Sequence, residues 1–176
     1  KVSAAGDYEK ASALTKKYME QIELEKENAE EAIRITRDIL SGIGNKHAQT
    51  DRYWNRKETA DYLHITIDTL RNWELNGLFT VKRSQNGYRI YSQEDLQRLK
   101  IIRSLRCANY SLSAILRMLR ALSDDPAVNI REAIDTPSEN DDIITACDRL
   151  LTSLKEAGEN AIYVAGQIEI MKKMSG

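Results

Sequence analysis

Between Gly6 and Gly42 the chain runs for 35 residues without a glycine or a proline. Glu, Lys, Ala, Ile and Leu dominate this run, all of them tolerated or favoured in helices. As one helix it is a rod of about 50 Å, longer than the roughly 40 Å diameter expected of a compact chain of this size. Such a rod is able to pair lengthwise with a second long helix. Asp7 is placed to cap its start, and Gly42 and Gly44 end it, so a helix over 8–41 is expected.

A second long helix is expected from "TPSE" onward, with Thr136 as cap, Pro137 in the first helical position and Glu139 completing a capping box. Its apolar positions run Ile143, Cys147, Leu150, Leu154, Ala157, Ala161, Val164, Ile168 and Met171, the 4-3 spacing of a coiled-coil seam. Moving this seam back by 129 positions lands on Leu14, Tyr18, Ala32, Ile35 and Ile39, with the polar Gln21, Glu25 and Asn28 between them. The same offset relates "KENAEEAI" (26–33) to "KEAGENAI" (155–162), which share five of eight letters. Two readings fit: a duplicated module, or two helices of convergent composition.

The net charge of −1 conceals an asymmetry, because residues 52–120 hold 13 Lys/Arg against 6 Asp/Glu and the remainder holds 13 against 21. A basic middle between acidic helices suits a polyanion-binding module. No apolar run is long enough to span a membrane as a helix, and no signal peptide opens the chain, so a cytoplasmic protein with no membrane partner is expected. Cys107 and Cys147 fit a reduced compartment. They lack neighbours at metal-ligand spacing, and His47 and His64 stand apart, so neither a metal site nor a cofactor is expected. No nucleophile–base pair or phosphate-cradling glycine loop argues for an enzyme.

The basic middle reads as helix, tight turn, helix over "WNRKETADYLHITIDTLRNWELNGLF". Asn55 and Glu58 form a capping box for the first helix, and Thr66 caps the second. Leu70 and Trp73 face inward on the second helix, leaving Asp68, Arg71, Asn72 and Leu75 elsewhere. Arg and Asn one turn into such a helix suit base or phosphate contacts in a major groove. "VKRS" and "YRIY" alternate like two strands joined through Asn86-Gly87, a strong hairpin signal. Lys82, Arg83 and Arg89 crowd positive charge around that ribbon, which suits a grip on phosphates. Ser92 starts a further helix to about Arg106, and "YSLSAILRMLRAL" a shorter one. "SDDPAVNIREAID" reads as another short helix with Pro126 in its first turn.

The order of helix-turn-helix, "TLRNWELNGL", "NGYRIYSQEDLQRLKIIRSLR" and "YSLSAILRML" resembles the MerR-type winged-helix transcription regulators over about Trp54–Leu122. The resemblance implies a mainly α fold: a winged helix-turn-helix DNA-binding domain with a small β-hairpin wing, flanked by two long coiled-coil helices pairing antiparallel. It implies that Arg71 and its neighbours touch DNA and that Arg89 and Tyr91 of the wing touch the backbone. The candidate DNA-binding set is Arg56, Lys57, Thr69, Arg71, Asn72, Lys82, Arg83, Tyr88, Arg89 and Tyr91. It implies binding to double-stranded promoter DNA with a distorted spacer, and RNA polymerase as an indirect partner. His64 departs from the pattern, standing where the turn usually has Gly, which implies either a looser turn or an unusual backbone conformation. Asn72-Trp73 replaces the commoner pair of aromatics.

The expected organisation is therefore 1–47, a dimerisation-type helix left from a truncated first module; 52–122, the winged helix; and 123–176, a short helix and the second long helix. The long helices would form either an intramolecular pseudo-dimer or a homodimer. A sequence-specific transcription regulator is the leading expectation. An excisionase-like architectural DNA-binding protein, or a coiled-coil interaction protein whose winged helix reads nothing, are the alternatives.

Overall fold

The computed structural model describes residues 6–42, 52–137 and 145–175. Helix α1 spans Tyr8–Leu40, with the Asp7 carboxylate accepting from the Lys10 backbone N–H at 3.1 Å and Gly42 leaving the helix at φ 72°. The winged helix follows as α2 (Arg56–Leu63), α3 (Ile67–Leu75), β1 (Lys82–Arg83), β2 (Arg89–Ile90), α4 (Gln93–Cys107) and α5 (Leu112–Asp124). The chain ends in α6 (Ile130–Asp135) and α7 (Leu150–Ser175).

Local chemistry sets most of these boundaries. Asn55 and Glu58 close a reciprocal capping box on α2, and Ser92 with Asp95 does the same for α4. Thr66 and Ser111 cap α3 and α5 through their hydroxyls. His64 takes the left-handed conformation (φ 51°, ψ 47°) between α2 and α3, the tight turn that a glycine would make without steric cost. The strands pair antiparallel, Lys82 with Ile90 and Arg83 with Arg89, around Asn86-Gly87. Helix α6 starts at Ile130, so Pro126 lies in the turn before it rather than in its first turn. The core is made of Leu70, Trp73, Leu78, Phe79, Leu96, Leu99, Ile102, Leu105, Ile115 and Met118, each no more than 4% exposed.

Helices α1 and α7 lie side by side and antiparallel. Lys172 near the end of α7 pairs with Glu9 at the start of α1, and Gly158 sits against Ile22. Counting along the helices from either pair brings Lys26 opposite residue 154 or 155, where the two octapeptides begin. The repeat therefore straddles a local two-fold axis through the helix pair.

Three sequence expectations about these helices need correction. The second long helix starts at Leu150, not after Thr136, which instead closes the C-terminus of α6. The reason is a long-range cap: the Asp135 carboxylate accepts from the Leu151 and Thr152 backbone N–H groups at 2.8 and 3.1 Å. Cys147 accordingly sits half-buried in one turn of 3-10 helix, Ala146–Asp148, and takes no part in a seam; Ile143 lies outside the described residues. Leu150, Leu154, Ala161 and Ile168 are buried and Ala157 is half-buried, but Val164 (46% exposed) and Met171 stay outside.

On α1 the buried positions are Ala11, Ile22, Ala29, Ala32, Ile33 and Thr36, of which Ile22, Ala29, Ile33 and Thr36 stand one residue after the expected seam. One residue is about 100° of helix rotation, so Leu14, Tyr18, Ala32, Ile35 and Ile39 form a second face. In the C-terminal half this face turns to the winged helix. Ala32 is buried and Ile39 packs on the shared core, beside Gln97, Arg98 and Ile101 of α4. In the N-terminal half it is bare, with Leu14 and Tyr18 about half exposed.

Candidate nucleic-acid interface

Burial of Leu70 and Trp73 fixes how α3 is rotated on the domain. The opposite side of that helix carries Asp68, Arg71, Asn72 and Leu75 into solvent, with Leu75 74% exposed. Arg71 is free to reach outward. The Asn72 side-chain oxygen accepts from Asn76 at 3.3 Å, which steadies the end of the helix. The Thr69 hydroxyl is engaged with that of Thr66 at 2.8 Å, so it belongs to the cap as much as to the exposed face.

Grooves flank α3 on both sides. One, of about 550 Å³, lies between the turn and α4 and is lined by His64, Thr66, Asp68, Thr69, Asn72, Arg103, Arg106 and Cys107. The other, of about 660 Å³, lies between the start of α2 and the wing and is lined by Asn55, Arg56, Lys57, Ile67, Arg83, Tyr88 and Arg89. Each groove thus contains at least two basic side chains beside helix-capping polar groups, a setting that suits phosphates on either side of an inserted helix. Arg103 and Arg106 were not foreseen from sequence. Their three-residue spacing sets them on one face of α4, but only the fold brings that face beside α3. Arg98, on the same helix, instead donates to the Leu78 carbonyl at 2.8 Å.

The wing cations divide by role. Lys82 and Arg83 are exposed, with the Arg83 guanidinium laid over the hairpin to the Gly87 carbonyl at 3.0 Å. Tyr88 is 75% exposed beside the tip. Arg89 instead turns back to α3, its Nε within 3.0 and 2.8 Å of the two Glu74 carboxylate oxygens. It braces the wing against the recognition helix, with its guanidinium already paired to Glu74.

Tyr91 is placed differently from the expectation of a backbone contact. Its ring is fully buried, tilted against Phe79 with centroids 6.2 Å apart, and its backbone bridges to Trp54. Burial raises its phenol above the ordinary value, with the neighbouring Arg56 pulling the other way. A side chain that closes the core cannot also lie along a phosphate.

Behind the interface, the α5–α7 junction is held by polar contacts. Asp148 is 5% exposed; burial pushes its carboxyl up, but hydrogen bonds from Ser111 and Thr145, with Arg117 nearby, outweigh it and hold the group below its usual range. Ser111 caps α5 and donates to Asp148 together, and the Arg117 guanidinium reaches the Ile134 and Asp148 carbonyls at 2.9 and 2.7 Å. The turn that leads into α7 is thereby tied to the start of α5. Among the described residues no group of three or more His, Cys, Asp or Glu is gathered as a metal site, and no helix is long and apolar enough to cross a membrane.

Comparison with known proteins places this site in a family. Residues 55–122 match the profile of the MerR HTH family regulatory proteins. The mercuric resistance operon regulatory protein of Bacillus cereus is 32% identical over 126 residues, which cover 66% of this chain and 95% of that protein. A probable heavy metal-dependent transcriptional regulator of Haemophilus influenzae is 38% identical over 79 residues, covering 44% of this chain and 61% of that protein. The chain spans half or less of the length of several other curated relatives. A solved structure of a MerR family regulator lacking the sensor domain, bound to promoter DNA, aligns over 70% of this chain and 78% of that one at 23% identity, with a TM-score of 0.40.

Proposed function

The chain belongs to the MerR family of helix-turn-helix regulatory proteins, and from that premise we propose that it is a DNA-binding transcription regulator whose recognition element is α3. The observation that carries this is the exposed Arg71 face of α3 standing between two grooves that hold Arg103 and Arg106 on one side and Arg56, Lys57 and Arg83 on the other. In this reading α3 enters the major groove of promoter DNA, and the flanking cations neutralise phosphates on each side. Arg71 and Asn72 are the base-edge candidates. Arg56, Lys57, Lys82, Arg83 and Tyr88 position the domain. Arg89 acts through the wing's placement, and Tyr91 is withdrawn from the contact set.

Relatives described as heavy metal-dependent and mercuric-resistance regulators support transcriptional control as the outcome. Distortion of the bound promoter, with RNA polymerase affected indirectly and within the cytoplasm, follows from the family resemblance. One winged helix per helix pair supplies half of a two-fold site, so binding by this chain alone is weak and falls steeply with salt.

Fluorescence anisotropy with a duplex carrying the protein's own promoter tests the reading. The chain is expected to bind at low salt and to lose affinity as salt rises. Arg71→Ala is expected to cost about 1–3 kcal/mol and to blunt discrimination between duplexes. Equal affinity for wild type and Arg71→Ala on every duplex would remove α3 from the recognition role.

A further inference from the structure

The last turn of α3 orders a polar pair on its solvent side. Gly77 leaves the helix at φ 74°, and the Leu78 N–H reaches back to the Trp73 carbonyl at 3.1 Å. Leu78 and Trp73 are both buried in the core, so the helix ends in a Schellman closure anchored by apolar side chains. That closure fixes the backbone of Asn76, which stands between the helix and the glycine. From there the Asn76 Nδ2 donates back one turn, to the Asn72 carbonyl at 2.8 Å and to the Asn72 side-chain oxygen at 3.3 Å. The Asn72 amide is thereby turned with its oxygen toward Asn76. Among the described residues no acceptor takes the protons of the Asn72 Nδ2. Asn72 is exposed next to Arg71 and lines the groove that holds Asp68, Arg103 and Arg106.

An unconstrained asparagine on a recognition helix pairs with adenine, accepting from N6 and donating to N7. That pairing needs the oxygen and the nitrogen presented together. We infer that Asn76 is a specificity-determining positioning residue, which holds Asn72 as a hydrogen-bond donor and so directs it to guanine rather than adenine. Guanine shows two acceptors, N7 and O6, on its major-groove edge, whereas thymine shows one beside its methyl group. Adenine would set its N6 donors against the Asn72 amino group unless the bond from Asn76 were given up. The inference rests on α3 as the reading helix and assigns a base to its Asn72 edge.

The test selects bound sequences from a library of randomised duplex DNA, using the purified full-length protein as wild type, Asn72→Ala, Asn76→Ala and Asn76→Asp. Far-UV circular dichroism checks that each variant is folded. In wild type, the position whose preference Asn72→Ala removes is expected to favour guanine over adenine by about tenfold. Asn76→Ala lets the Asn72 amide rotate and is expected to cut that ratio to about threefold or less. Asn76→Asp is the sharper variant, because a carboxylate only accepts. It draws the Asn72 Nδ2 inward and turns the oxygen out, so the preference is expected to pass to adenine. Its added negative charge weakens binding to every sequence alike and leaves the ratio of bases to report the amide. Three results overturn the inference while keeping α3 as the reading helix: a base other than guanine at that position in wild type, no position altered by Asn72→Ala, or the same ratio in wild type and both Asn76 variants. Failure of the wild type to enrich any sequence overturns the recognition reading itself, and the inference with it.

Discussion

The two halves of the α1–α7 pair carry octapeptides that share five of eight letters, in different environments. At the near end Ala29, Ala32, Ile33 and Thr36 of α1 are buried, and Ile39 packs on the shared core beside α4. At the far end Leu14 and Tyr18 stay about half exposed. The near end even closes a buried hydroxyl, with Thr36 Oγ1 donating to the Ala32 carbonyl at 2.8 Å. The far end is tied by surface charge, Glu9 to Lys172, a kind of contact that contributes little in water. A coiled-coil seam is thus only part of what long helices with this composition carry. A second face, one residue out of phase, decides what else they hold.

This contrast can be broken by truncation. Ile33→Ala at the near end is expected to cost about 2–4 kcal/mol, whereas Leu14→Ala at the far end should cost below about 1 kcal/mol. Urea denaturation of the two variants measures both, and equal losses would refute the asymmetry. A sharper probe of the near end is the long-range cap. Asp135→Ala is expected to lower stability by about 1 kcal/mol and to raise amide exchange at Leu151 and Thr152, with Asp135→Asn retaining much of the cap.

The wing offers a smaller test of the same idea, that one segment can face two partners. Arg89→Ala is expected to loosen the wing and cost less than about 1 kcal/mol of stability, since the Glu74 pair is partly screened by solvent. Arg83→Ala should leave stability unchanged while weakening DNA binding with a shallower salt slope. Identical behaviour of the two variants in both assays would erase the division between brace and contact.

The smallest effect concerns pH. The Asp148 carboxyl is held below its ordinary 3.8, so its contribution is present above that value and is lost as pH falls through the lower folded value. A urea midpoint that falls further with acidification in wild type than in Asp148→Asn, over about pH 5 to pH 3, is the expected result.

Much of the fold was legible because its signals are short-range. Asp7, Asn55–Glu58, Thr66 and Ser92 announce helix starts within three residues of themselves, and Asn86-Gly87 announces the hairpin. The basic segment and the exposed Arg71 were also legible, since charge and a 3.6-residue period are read along one helix. Arg103 and Arg106 were not, because their place beside α3 depends on how α4 packs. Tyr91 was misplaced because an aromatic at the base of a wing has the same letter whether it closes a core or faces a phosphate. The start of α7 was misplaced because "TPSE" satisfies local capping rules, whereas the cap in use comes from Asp135, 16 residues before Leu151.

The sequence by itself determined that two long helices and a basic winged helix must coexist, because helix propensity, caps and turns act over a few bonds. Only the tertiary structure decided which face of α1 meets α7 and which meets α4. It also decided which wing arginine is spent on Glu74 and which end of the helix pair is left bare. Those outcomes are set by the burial of surfaces far apart in the chain, and a stripe of apolar letters does not say which partner will cover it.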